Sequence, residues 1–555
     1  MGAIIDDKLY PLKITSEKST LLHSGKAPIA NHGYKYAILD DSDNIVQMEN
    51  FTRQPLNEDT QNEYYNRTWT SVFLPELPTV LDPLPIINRI DSDLHIDGEI
   101  PTVHITGNQT ALDYIHSHAN DDIDVPGLHM TYISPNKVKV FKNITLSISG
   151  HSSRNEEKLS YKIKLLKEDD LSDYRRFKFR SLATDPSYMR EHVAYSVGRS
   201  AGLPITGFSY LRLYLNDRPI GLFGLAEDYK NPWQRNEFAG GDKGYKQGAF
   251  YVANLNGNMK LVAPPFNGNT TEGKDGSFDF PPLGEQGPSN PSHHGGFKGF
   301  RHDKSNLHYV GENATLYRDY YDLKENPSVG TANYTKIIEL TKFIAQQPNI
   351  TDADNSVTSQ WEQYIDVDSA LRMIALEIVI SNSDSYMAMG NNYIIYEDPD
   401  ADRLMFSAQD FDLTMGHGMH NATLMYGGNW TAFPGFLDSP LTATLYHVPK
   451  YRKKLENLIH TMTAGIMNSK VLNPRIDALY KMLKEDVDWD KTLPRVNAVP
   501  TNETSRRRHF SMGNTSMTFD EAVNGNANRA NTLGLKEFVK TRSRNLLEFF
   551  NSSKA

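Results

Sequence analysis

Residues 381–416 read SNSDSYMAMGNNYIIYEDPDADRLMFSAQDFDLTMG, and their polar side chains have the types and order that phosphoryl transfer needs. Asp384 follows an apolar helical run (370–380, ALRMIALEIVI). Next come Asn391 and Asn392, a β-like run (393–396), a turn built on Asp and Pro (397–403), a second β-like run (404–408), and then Asp410 and Asp412. Two short strands joined by such a turn make a hairpin, which brings the loop of Asp384 and Asn392 alongside the loop of Asp410. A loop Asp, an amide side chain, a hairpin and a DFG-like Asp is the order of catalytic parts in kinase-type transfer. One carboxylate orients an acceptor hydroxyl and takes its proton. An amide oxygen and a second carboxylate hold hard divalent ions against phosphates. A polar loop, a surface hairpin and a helix cap have the same spacing, so pattern alone leaves both readings open.

These groups need a partner region upstream. In SYKIKLL, Tyr161, Ile163 and Leu165 alternate with Lys162 and Lys164, so both lysines share one strand face. That face is either solvated or turned toward phosphates. The run YMREHVAYSVGRSAG predicts an amphipathic helix with Ser187 as its cap, Glu191 in its first turn and a stop at Gly202. Two strands then lead to Glu227 and Asp228. Ahead of Lys162, the small-residue turn at Gly150 is either an ordinary hairpin or a loop lying over phosphates. A strand with Lys, a helix with Glu, a hairpin and an acidic exit is the order of a kinase small lobe.

Asp384, the Asn pair, the YEDP turn, QDFDLTMG, the SYKIKL strand and the DPSYMRE helix together resemble the spore-coat protein H (CotH) kinase family. They look most like its fungal cell-surface, invasin-like members. QDFDLTMG is similar to the family's D-F/L-D-x-x-x-G signature. The resemblance implies an α+β, two-lobed, atypical protein-kinase-like fold over residues 95–550: a small lobe about 100–229, a loop insertion 230–328 and a large lobe 329–550. It implies ATP with Mg2+ or Mn2+, and a protein substrate with a Ser or Thr acceptor. Asp384 would then position and deprotonate that acceptor. Lys162 would grip the phosphates while paired with Glu191, with Gly150 and Glu227 (the hinge) completing the nucleotide site. Asn392, or Asn391 beside it, and Asp410 would hold metal ions, with Asp412 supporting. The same resemblance carries a second reading, an adhesin that binds a host cell-surface receptor on a kinase-like scaffold. The matching surface segment (387–403) keeps the EDP turn but departs in its Gln and Thr content.

The chain has 555 residues, which suits two or three domains. Its net charge of −10, with Lys and Arg dispersed, argues against nucleic acid as a partner. With no cysteine, disulfides, zinc-thiolate sites and thiol nucleophiles are excluded. Asn-x-Ser/Thr acceptors at Asn66, Asn108, Asn143, Asn269, Asn313, Asn333, Asn349, Asn421, Asn429, Asn502, Asn514 and Asn551 point to a secretory route. No run is long and apolar enough to span a membrane, and neither end carries a hydrophobic targeting segment. With the acceptor sites, this leads us to expect a secreted or cell-surface protein whose signals have been removed. Residues 1–85 read as a small β-sandwich-like module, or else as the first strands of the main domain. Tyr34 and Tyr36 there suit a sugar-binding face or a core. The proline-rich segment 79–91 is the expected linker. Residues 230–328, rich in Gly, Pro, Asn and His (His293 and His294 among them), are expected to form a long loop.

Overall fold

The computed structural model describes residues 1–150, 152–253, 304–347, 356–418, 422–497, 517–525 and 532–552. They form a mixed α+β molecule. At the start, β1 (Gly2–Ile5), β2 (Lys8–Pro11), β5 (Tyr34–Leu39) and β6 (Ile45–Met48) make an antiparallel sheet in the order β2-β1-β5-β6. Beside it lies a separate hairpin of β3 (Lys13–Ser16) and β4 (Ser19–Ser24). The core here is small, comprising Ile5, Ala30 and Tyr34. Tyr34 and Tyr36 both donate their hydroxyls to Glu63 Oε2, at 2.9 and 2.7 Å, and Arg53 lies over the Tyr36 ring. Of their two readings, the core is the one these contacts support.

The expected linker is a strap instead. The Val80 and Leu81 amides donate to Ser200 O at 3.0 and 3.1 Å, Leu84 to Gly202 O at 3.0 Å and Ile90 to Asn236 O at 2.7 Å. Leu84 is buried, and Ile86 and Ile87 pack on the same core. Prolines forbid a regular ladder, but they leave the intervening N–H groups free to bond and the apolar side chains free to bury.

Next comes a closed barrel of β7 (Thr102–Thr106), β8 (Asp124–Ile133), β9 (Val138–Ser149), β10 (Ser160–Lys164), β11 (Arg176–Arg180), β12 (Ser209–Leu215) and β13 (Arg218–Glu227). Its order is β10-β11-β13-β12-β7-β8-β9, and β9 pairs back to β10. Alternation sets the two faces. Tyr161, Ile163, Phe177 and Phe179 are buried inside, so Lys162, Lys164, Arg176, Lys178 and Arg180 take the outer face. Strand β11 is absent from the sequence reading, although RFKFR carries a clean period of two.

The region expected as a long loop also contributes structure. The helix Trp233–Phe238, β14 (Phe250–Ala253) and β15 (Tyr321–Glu325) all come from it. Strands β14 and β15 extend a sheet in the order β15-β14-β16-β17, where β16 is Tyr393–Asp398 and β17 is Arg403–Ala408. All four residues of β14 are buried, which a solvated loop would not allow. His293 and His294 lie outside the described residues. Helices Thr335–Gln346, Val367–Ile380, Pro449–Gly465, Ser469–Thr492 and Leu535–Ser552 then pack around one large apolar cluster. Helix Arg190–Ser200 joins that cluster through Val193, Ala194 and Val197.

Candidate active site

The loop of Asp384 is held from both sides. Helix Val367–Ile380 begins at Asp366, whose Oδ1 accepts from Ser369 N at 2.8 Å, and ends at Ser381 with a φ of 52°. Ser383 donates its N and Oγ to Leu413 O at 3.0 and 2.9 Å. Met415 N and Thr414 Oγ1 donate to Ile380 O at 2.9 and 2.7 Å. Inside the helix, buried Glu377 accepts from the backbone of Tyr386 and Met387 at 3.2 and 3.3 Å, and burial pushes its carboxyl up to about 7. The hairpin forms as its turn chemistry predicts, pairing Tyr393 with Ala408. One step beyond it, Gln409 N donates to Asn392 O at 3.0 Å, so the Asn pair and Asp410 sit at the hairpin's open end.

The side chains of this loop cluster tightly. Asn391 Nδ2 donates to Asp384 Oδ1 at 3.1 Å, and Asn392 Nδ2 donates to Oδ2 at 2.9 Å. Burial pushes Asp384 up to about 7; the two amides oppose that rise, and the charges of Asp412 and Asp410 add to it. Asp412 is also pushed up to about 7, by burial first and by Asp410 second. Asn392 and Asp410 both hold left-handed backbone, with φ of 54° and 57°. Strain of this kind is sustained where surrounding contacts fix the chain, as they do here.

One pairing differs from the sequence reading. Glu191, 3% exposed, meets Arg180 rather than Lys162: Arg180 Nε donates to Oε2 at 3.2 Å and lies 3.0 Å from Oε1. The same guanidinium grips Asp410 at both oxygens, Nη2–Oδ1 at 2.5 Å and Nη1–Oδ2 at 3.3 Å, and reaches Asp412 Oδ2 at 3.7 Å. These carboxylates hold Arg180 well above its ordinary range against the cost of burial. Burial, with Asp410 and Asp412 adding their repulsion, pushes Glu191 up against the pull of Arg180. Register explains the exchange. Lys162 stands across from Lys178, and Arg180 lies two residues further along the same face, where it meets the helix that carries Glu191. Lys162 is exposed. Desolvation, with the Lys178 charge opposite, holds its ammonium below the ordinary range.

Other expected residues fall as follows. Glu227 is buried and bonded to the 206–207 turn, accepting from Gly207 N at 2.7 Å and from Thr206 Oγ1. Its side chain is thus structural, and a hinge role is left to its backbone. Gly150, with a φ of 92°, ends β9, and a Cβ there would lie 2.0 Å from Ser153 Oγ. The helix expected to be capped by Ser187 is held mainly by Asp185, which accepts from the amides of Met189 and Arg190 at 3.0 and 2.8 Å. Arg190, fully buried, ties that helix to Asp185 at 2.5 Å and to Met415 O at 3.1 Å. It therefore locks Glu191 against the loop of Asp410. Arg180, Asp185 and Arg190 are the residues that sequence reasoning missed. The alternation in RFKFR was the available signal for the first.

Among the described residues, no group of three or more His, Cys, Asp or Glu side chains is arranged to hold a metal ion. The donor set nonetheless fits a hard cation. Asp410 and Asp412 offer carboxylate oxygens, and Asn392 an amide oxygen. Burial and neighbouring negative charge push up Asp412 and the adjacent Asp384, which a cation would relieve. On the barrel side, like charges face each other across strands, Lys162 to Lys178 and Lys164 to Arg176. Asp228 lies 3.8 Å from Lys178, and the remaining like charge favours a further anion over this face.

The family described as CotH kinase protein matches residues 146–546. Invasin CotH2 of Rhizopus delemar is 23% identical over 503 residues, covering 89% of this chain and 74% of that protein. Invasin CotH3 of the same mould is 24% identical, covering 78% and 64%; spore coat protein homolog 1 is 22% identical, covering 88% and 70%.

Proposed function

Because this chain belongs to the CotH kinase protein family, we propose that it is an atypical protein kinase, secreted or at the cell surface, acting on Ser or Thr of a protein. The observation that carries this reading is the meeting of Asp384, the Asn pair, Asp410 and Asp412 at one hairpin end, facing a cationic strand face. Asp384 orients the acceptor hydroxyl and takes its proton as the oxygen bonds to the γ-phosphorus. The bond from that phosphorus to the bridging oxygen breaks, and ADP leaves. The amides of Asn391 and Asn392 hold the Asp384 carboxylate in place to take that proton. Asp410, Asp412 and Asn392, with Asn391 beside it, would hold Mg2+ or Mn2+. When bound, the metal supplies charge neutralisation at the phosphates. Lys162 and Lys178 offer the triphosphate its cationic wall, Gly150 lies at the end of β9, and the backbone of Glu227 is the hinge.

No helix among the described residues is long and apolar enough to cross a membrane. A surface location is supported by the names of the relatives, invasins and a spore coat protein homolog, and by the acceptor asparagines. Asn66, Asn108, Asn143, Asn313, Asn333, Asn429 and Asn551 are all exposed. A second reading, binding of a host receptor, is favoured by the relatives named invasins.

A thermal melt with ATP and Mg2+ or Mn2+ tests the first reading, since a ligand that binds only the folded state raises its midpoint. A rise, accompanied by transfer of labelled γ-phosphate to protein, is expected. With neither the rise nor the transfer, the kinase reading fails and the binding reading stands alone.

A further inference from the structure

In the chain as it stands, the oxygens best placed to hold a divalent ion are already occupied. Arg180 spans Asp410 in a two-pronged contact, reaches Asp412 and keeps its third nitrogen on Glu191. We propose that Arg180 is a displaceable latch: it fills the metal position between Asp410 and Asp412 until the phosphates of a nucleotide offer it replacement oxygens, so that cation and nucleotide bind together rather than cation first. This rests on the kinase reading above and adds an order of binding to it.

Four observations support the latch. The guanidinium is always charged, so protonation cannot release the carboxylates; only another anion can. Its planar fork fits a phosphate as well as it fits a carboxylate, so a change of partner conserves the bonds. The two ends of the contact differ in access. The Glu191 side chain is 3% exposed and that of Asp410 is 32%, so the pair with Glu191 acts as the pivot and the grip on Asp410 is the open end. A polyphosphate also has a seat next door, on the outer face where Lys162 opposes Lys178 two residues before Arg180. A bare divalent ion arriving alone would meet a fixed positive charge already between its ligands.

The test is Mn2+ binding followed by electron paramagnetic resonance, with and without the non-hydrolysable analogue AMP-PNP. In the wild-type protein, Mn2+ alone is expected to bind at least tenfold more weakly than Mn2+ with AMP-PNP. By reciprocity, Mn2+ must strengthen AMP-PNP binding by the same factor. In Arg180→Gln, Mn2+ alone is expected to bind at least tenfold more tightly than in the wild type, with AMP-PNP adding little. The latch is overturned if wild-type protein binds Mn2+ equally well with and without AMP-PNP. It is equally overturned if a folded Arg180→Gln gains no affinity for Mn2+ alone. If that variant does not fold, Arg180→Lys, which loses the planar fork, is measured in its place, and an unchanged affinity for Mn2+ alone overturns the latch. Wild-type protein that binds neither AMP-PNP nor Mn2+ in any combination sinks the kinase reading and the latch with it. Normal Mn2+–AMP-PNP binding without the predicted order sinks the latch alone.

Discussion

Arg180 Nη2 stands 2.5 Å from Asp410 Oδ1, although 230 positions separate the two residues. A strand absent from the sequence reading thus supplies the cation for a loop that the sequence marks clearly. Removing the guanidinium leaves Glu191, Asp410 and Asp412 facing one another. Arg180→Ala is therefore expected to cost about 3–5 kcal/mol in denaturant unfolding. Exposed Lys162, changed to Ala, should stay within about 0.5 kcal/mol of the wild type. Equal losses in the two variants would return Lys162 to the place of Glu191's partner.

Asp384→Asn preserves shape but removes the proton acceptor, and its single amide oxygen can keep only one of the two contacts from Asn391 and Asn392. Phosphoryl transfer should fall by about 100-fold or more, while the thermal shift with ATP and Mg2+ persists. Asp410→Ala should lose both. Autophosphorylation retained in Asp410→Ala would take that residue out of the mechanism.

Two buried carboxylates of helix Ser469–Thr492 fasten the barrel to the helical half, Asp486 through Arg212 and Asp490 through Lys158. Asp490 accepts from Lys158 Nζ at 2.6 Å, from Tyr188 Oη at 2.8 Å and from Leu222 N at 3.0 Å. Asp490→Ala strands a buried ammonium and should cost about 3–5 kcal/mol, measured by urea unfolding. A loss under about 1 kcal/mol would show that the pair does not bear on stability.

His116, 6% exposed and 2.9 Å from the Tyr161 hydroxyl, is pushed down to about 4 by burial. The unfolded chain takes up this proton near the ordinary 6.5, and the folded chain only near 4. Between those values the unfolded state binds more protons, so stability is intact above pH 6.5 and declines as pH falls toward 4. The full loss is about 3 kcal/mol. His116→Gln should flatten that part of the pH–stability curve, and an unchanged slope would assign it to other groups.

Among the described residues, acceptor asparagines such as Asn66, Asn108 and Asn333 lie exposed on the folded surface. Secretion from a eukaryotic host should therefore give a protein whose mass drops on enzymatic removal of N-linked glycans, with peptide mass spectrometry placing them at sites such as Asn108 and Asn333. A mass unaffected by that treatment would count against a secretory route.

Sequence alone determined the parts whose signals fit within a few residues. The hairpin of 393–408, its neighbouring Asp384 and Asp410, the helix of Glu191 and the alternation at Lys162 are all local patterns, fixed by side-chain period and turn chemistry. Which cation meets Glu191 was not local. Lysines and arginines alternate on both β10 and β11, and residue type cannot rank them. Strand register and the seat of one helix choose among them, and both are set by long-range packing of the barrel against the helical half. The strap of 79–91 and the buried strand β14 depended on tertiary structure for the same reason. Each looks like loop until the surface that covers it is present, because burial is a property of the whole fold.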